Sequence, residues 1–101
     1  MQHLLQKTID QEFAANSMEV TCRVDPYIHH YNTVTDYRIK LLFRGGQVFM
    51  EIMCKAQRPF TPKIKPVSPI EPHKLIKLCE VIQEAFKELE RKTEEGEGQF
   101  R

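Results

Sequence analysis

The sequence predicts an α+β domain in which an N-terminal helix leads into a three- to four-stranded antiparallel meander, and a long C-terminal helix then packs on one sheet face. Three observations carry this. The stretch Asp36 to Lys55 alternates apolar and polar residues on either side of Gly45-Gly46. Arg58 to Leu89 passes from a proline-rich segment into an apolar pattern of helical period. The opening residues place Leu5, Ile9 and Phe13 four apart.

At the N-terminus, Gln2 to Phe13 forms the first expected helix, with Gln6, Lys7, Asp10 and Gln11 around the apolar stripe, and Ala15-Asn16-Ser17 ends it. Met18 to Val24 then alternates, Val20, Cys22 and Val24 on one side and Glu19, Thr21 and Arg23 on the other, as a half-buried strand does. Asp25-Pro26 is expected to stop it, because proline cannot donate to a ladder. Tyr27 to Thr33 is a surface loop or the end of a strand. Its adjacent histidines, His29 and His30, point to opposite sides of an extended chain and make poor joint ligands, so no metal site is expected.

The hairpin is the most strongly specified part. A tight turn at Gly45-Gly46 uses positive φ angles that glycine adopts cheaply. It would pair Phe43 with Val48, Leu41 with Met50, Ile39 with Ile52 and Tyr37 with Cys54 on one face, and Lys40 with Glu51 and Asp36 with Lys55 on the other. The same register sets Leu42 opposite Phe49 and Arg38 opposite Met53, which leaves an apolar patch among basic groups.

Prolines 59, 62, 66 and 69 make the next segment a stiff crossing, with a short edge strand around Lys63-Ile64-Lys65. Ser68 is the expected helix cap, Pro69 the first helical residue and Glu71 the capping-box acid, and Pro72 delays the regular turn. From there Leu75, Leu78, Cys79, Ile82, Ala85, Phe86 and Leu89 form the stripe that lies on the hairpin. The folded unit is thus expected over residues 1–92, with 93–101 a disordered polar tail.

Composition narrows the classes of function. With 101 residues there is material for one core, and 41% apolar with 29% charged residues suits a globular chain. No apolar run approaches the ~20 residues of a membrane span, and the start lacks a secretory pattern. Cys22, Cys54 and Cys79 fall in phase with apolar neighbours and without a CxxC pair. Free buried thiols in a reducing intracellular compartment, cytoplasmic or nuclear, are expected. Asp36 to Lys65 holds seven basic residues against two acidic, whereas Glu80 onward holds seven Glu against four basic residues.

No phosphate loop, nucleophile motif or carboxylate pair is present, so neither an enzyme nor a cofactor nor a small-molecule substrate is expected. The candidate partner-binding set is Leu42, Phe49, Met53 and Arg38, which implies a protein partner or self-association. The alternative is single-stranded DNA or RNA held by Arg38, Lys40, Arg44, Lys55 and Arg58, with Phe49 stacking on a base.

The order helix, three strands, proline-rich crossing and long helix, with Pro59-Phe60-Thr61-Pro62-Lys63-Ile64 directly after a strand, resembles the RWD domains. These are small non-catalytic relatives of ubiquitin-conjugating enzymes. The family's usual Tyr-Pro-x-x-x-Pro has Arg58 in the tyrosine place here, and its second proline comes one residue early. The resemblance spans about Leu4 to Glu90 and implies a non-catalytic protein-interaction module, acting as a homo- or hetero-oligomer. The chain's basic sheet face is also similar to that of the positive-cofactor family of single-stranded-DNA binders.

Overall fold

The elements are α1 (Gln2–Ala15), β1 (Val20–Ile28), β2 (Val34–Phe43), β3 (Val48–Lys55), β4 (Lys63–Pro66) and α2 (Pro72–Gln99). The computed structural model describes residues 1–28, 31–44 and 46–99, the last five as backbone. The strands pair in chain order, β1-β2-β3-β4, each antiparallel to the next. This is the expected α+β meander, with β4 as the short edge strand.

One core holds the layers together. Leu5, Ile9 and Phe13 of α1 meet Val20, Cys22 and Val24 of β1, Ile39 and Leu41 of β2, and Met50 and Ile52 of β3. From α2 come Leu78, Val81, Ile82, Ala85, Phe86 and Leu89. At ~1.5 to 3 kcal/mol per large side chain, this burial dominates the stability. Val81 joins the stripe because α2 packs against α1 as well as the sheet, so a wider arc is covered. Leu75 and Cys79, at the margins of that arc, are only half-buried.

The hairpin departs from the expected register at one end. Tyr37↔Cys54, Ile39↔Ile52, Leu41↔Met50, Lys40↔Glu51, Arg38↔Met53 and Asp36↔Lys55 are paired as the sequence predicts. Leu42, however, faces Val48 and not Phe49. The turn lies one residue early: the Gly46 N–H donates to the Phe43 carbonyl at 2.7 Å, which puts Arg44 inside it. Gly45 lies outside the described residues. Between Leu41↔Met50 and Leu42↔Val48 the β3 strand carries one extra residue, Phe49, which a bulge takes up.

β1 runs through Pro26 to Ile28, beyond its expected stop. Strand pairing turns the Arg23 and Asp25 backbone toward β2, so Cys22, Val24 and Pro26 present theirs to the free edge. A proline there removes no ladder bond. The edge is further occupied by α1: Asp10 accepts from the Cys22 N–H at 3.0 Å, and the Gln2 amide donates to the Val24 carbonyl at 2.7 Å. At the opposite edge the free positions of β4 are Ile64 and Pro66, with Pro62 in the same phase just before the strand. Prolines thus withhold donors from both margins of the sheet.

Helix boundaries also move. α2 begins at Pro72, not Pro69, because a proline at 72 biases Glu71 away from helical geometry. At its far end α2 continues through the expected tail to Gln99. In this extension Thr93 Oγ1 donates to the Leu89 carbonyl at 2.9 Å and Glu94 reaches Arg58 at 3.6 Å. Phe100 and Arg101 lie outside the described residues. After α1, the left-handed residue is Ser17 (φ 57), not Asn16 (φ −96).

Candidate functional site

Both helices contribute to the core on one side of the sheet, and the residues of opposite phase form the other face. Read across the strands in register, one row is Thr21, Leu42 and Val48. The next is Arg23, Lys40, Glu51 and Lys65, and the third is Asp25, Arg38, Met53 and Lys63. The last is Tyr27, Asp36 and Lys55. Leu42, Val48 and Met53 are half-buried, while Arg23, Arg38, Lys63 and Lys65 are exposed.

Six cations therefore share this face with three carboxylates. Lys55 and Asp36 close into an ion pair at 3.3 Å. Lys40 and Glu51 are in register as expected, yet they are not in ion-pair contact. Arg23 stands directly opposite Lys40, a like-charge placement that costs ~0.2 to 1 kcal/mol in a sheet. A carboxylate or phosphate from another molecule would relieve that repulsion. The chemistry on offer is two half-buried apolar spots, Leu42 with Val48 and then Met53, separated by the Lys40–Glu51 row and flanked by cations.

The sequence-predicted site residues divide. Leu42, Met53, Arg38, Lys40 and Lys55 lie together on this face. Phe49 does not: the bulge turns it into the core, 3% exposed, stacked on Phe43 with ring centroids 3.8 Å apart and planes 14° from parallel. Placing Phe49 in a surface patch is therefore corrected, and Val48 takes its place opposite Leu42. Arg44 sits in the turn, paired with Glu19 at 3.1 Å.

Arg58 belongs to a different place. Its Nε donates to Glu90 at 2.9 Å, and the other oxygen of that carboxylate accepts the Phe60 N–H at 3.0 Å. Glu90 of α2 thereby fastens the β3–β4 connection, above the buried ring of Phe60. The basic set drawn from sequence is thus not one surface. Arg23, Lys63 and Lys65 complete the face instead. Their phase was visible in the alternation of each strand, but the register of β1 and β4 against the hairpin was not.

The thiols are on the opposite side or at its margin. Burial pushes the Cys54 thiol up to about 12, helped by nearby Asp36 and opposed by a backbone hydrogen bond at Tyr37. Burial likewise pushes Cys22 up, reinforced by the charge and hydrogen bonding of Asp10. Both are protonated at neutral pH and are structural, not nucleophilic. Tyr37 is also raised, by burial first and Cys54 second.

Among the described residues no group of three His, Cys, Asp or Glu side chains is placed to hold a metal, and His29 and His30 lie outside them. No described helix is long and apolar enough to cross a membrane. Compared with known proteins, the chain matches no family model, no curated protein and no solved structure.

Proposed function

We propose that this chain is a non-catalytic protein-interaction module that receives an acidic partner on the open face of its sheet. The observation that carries the proposal is the set of five cations on that face, Arg23, Arg38, Lys40, Lys63 and Lys65, which form no ion pair among the described residues. They flank Leu42, Val48 and Met53, the mixture of apolar and charged groups that protein interfaces use. The resemblance to RWD domains supports an interaction role. Face-to-face self-association would oppose two surfaces of the same net sign, so a different, acidic chain is the better complement.

Nucleic acid is the second reading, favoured by the same net positive charge. The loss of Phe49 to the core weakens it, because the aromatic left on this face is Tyr27, at a corner. The test uses wild-type protein and a Met53→Asp, Lys40→Glu variant of unchanged thermal stability. Partners captured from the native host are identified, purified and titrated directly against both proteins. The proposal expects the variant to bind at least about tenfold more weakly. Equal binding would refute it. Labelled single-stranded DNA and duplex RNA are titrated in parallel, and micromolar affinity falling steeply with salt would establish the second reading instead.

A further inference from the structure

Two Pro-x-Ser/Thr-Pro tetrads flank β4, Pro59-Phe60-Thr61-Pro62 before it and Pro66-Val67-Ser68-Pro69 after it. In each, a hydroxyl is followed by a proline, whose missing N–H suits only a binding cleft that asks for no hydrogen bond at that place. The proline two residues before the hydroxyl stiffens the approach, so less freedom is lost when an enzyme takes the segment in extended form. By sequence the two tetrads are equivalent, and the fold separates them.

Around Ser68 the chain is open. Because α2 starts at Pro72, Ser68 caps no helix, and its hydroxyl makes no hydrogen bond among the described residues. Lys65, Pro66, Val67, Ser68 and Pro69 are all exposed, and residues 67–71 belong to no helix or strand. Pro66 holds a free position of the edge strand, so the tie next to the hydroxyl is the Val67 N–H bond to the Phe49 carbonyl, at 2.9 Å.

Around Thr61 the chain is closed. Thr61 has φ 39, a left-handed conformation that a β-branched residue rarely adopts and that an extended substrate does not have. Phe60 before it is 1% exposed. The Phe60 N–H donates to Glu90 at 3.0 Å, and its carbonyl accepts the Lys55 N–H at 2.8 Å. Arg58 is fastened to the same carboxylate at 2.9 Å. Presenting Thr61 to an enzyme means withdrawing Phe60 from the core.

We infer that Ser68 is an acceptor site for phosphorylation by a proline-directed protein kinase, and that the fold withholds Thr61 from the same enzyme. In the transfer, Ser68 Oγ forms a bond to the γ-phosphorus of ATP while the bond from that phosphorus to the β,γ-bridging oxygen breaks. The hydroxyl proton passes to the kinase's catalytic carboxylate, and ADP leaves with its Mg²⁺. The product gains ~1.5 to 2 negative charges at the corner between β4 and α2.

The experiment incubates the full chain with an activated mitogen-activated protein kinase, Mg²⁺ and ATP, and locates phosphate over time by fragmentation mass spectrometry. A synthetic peptide of residues 57–71, in which both tetrads are free, gives the reference rate at each hydroxyl. The expected result is a single phosphate on the folded chain, at Ser68, formed within about tenfold of the peptide rate. Thr61 should be slowed by the fold at least about tenfold more than Ser68, because it reacts only through local opening. Ser68→Ala should leave the folded chain unmodified. Glu90→Ala, checked for native amide shifts away from the β3–β4 connection, should speed Thr61 and leave Ser68 unchanged. Failure of Ser68 to accept phosphate, in the peptide or in the folded chain, overturns the inference. So does equal slowing of the two hydroxyls by the fold, and a Thr61 no faster in the folded Glu90 variant refutes the account of its closure.

Discussion

Replacing Phe49 with alanine separates the bulged hairpin from the straight one. In the bulged register the ring is 3% exposed and stacked at 3.8 Å on Phe43, so truncation opens a cavity at the end of the core. Phe→Ala at buried sites costs ~3 to 5 kcal/mol, of which an aromatic stack accounts for ~0.5 to 1.5. A chain of this size is stabilised by roughly 5 to 15 kcal/mol in all, so the variant loses a large share of its folding free energy. In the straight register the ring would lie on the open face, where truncation costs about 1 kcal/mol or less. Urea unfolding followed by circular dichroism measures the difference, with Met53→Ala on the open face as the internal comparison. If Phe49→Ala unfolds at the same urea concentration as Met53→Ala, the bulge is wrong. The same reasoning makes Phe49→Asp a poor probe of binding, since it destroys the fold before it can report on a surface.

Glu90→Ala removes the acceptor of both Arg58 and the Phe60 N–H, and it should destabilise by ~1 to 3 kcal/mol while Arg58→Ala costs less, because only the glutamate change strands a partly buried N–H. Chemical denaturation of both variants checks the order, and the reverse ranking would mean the ion pair, not the backbone bond, holds the connection. The raised thiols predict a pH dependence of defined sign. In the unfolded chain Cys54 ionises near its ordinary value of 9.0, whereas in the folded chain it does so at about 12. The contribution of this thiol is therefore level below pH 9 and falls as pH rises from there toward 12, by at most ~1.4 kcal/mol per unit, with Cys22 adding in the same direction. Denaturant midpoints measured across that range test it with Cys54→Ala as reference, and a flat profile would contradict it. At neutral pH a thiol reagent should modify half-buried Cys79 well before the other two.

What the sequence made legible was whatever a single period controls. Val20, Cys22 and Val24, or Ile39 against Ile52, are assigned by alternation alone, since a one-residue slip would expose the whole set. The long helix was equally plain, because its stripe has no second solution. The turn was not. Arg44-Gly45 and Gly45-Gly46 both offer glycine, and the choice between them is worth less than the packing of Phe49 against Phe43, a contact visible only in three dimensions. Pro26 misled for a related reason: proline ends a central strand but is harmless on a free edge, and nothing local says which strand β1 will be. The candidate face suffered the same limit. Five of the residues expected there are present, but Arg23, Lys63 and Lys65 reach it through strand order, and Arg58 leaves it for Glu90, a partner 32 positions away.

The guarded margins of the sheet work against growth by edge pairing. Pro26 with Asp10 and Gln2 at one side, and Pro62 with Pro66 at the other, deny any newcomer the row of donors from which a ribbon of copies would propagate. The helices occupy one broad surface, leaving the sheet a single open face. On the proposed reading, a complex made through that face would be discrete, and raising the concentration would fill that single place without lengthening the assembly.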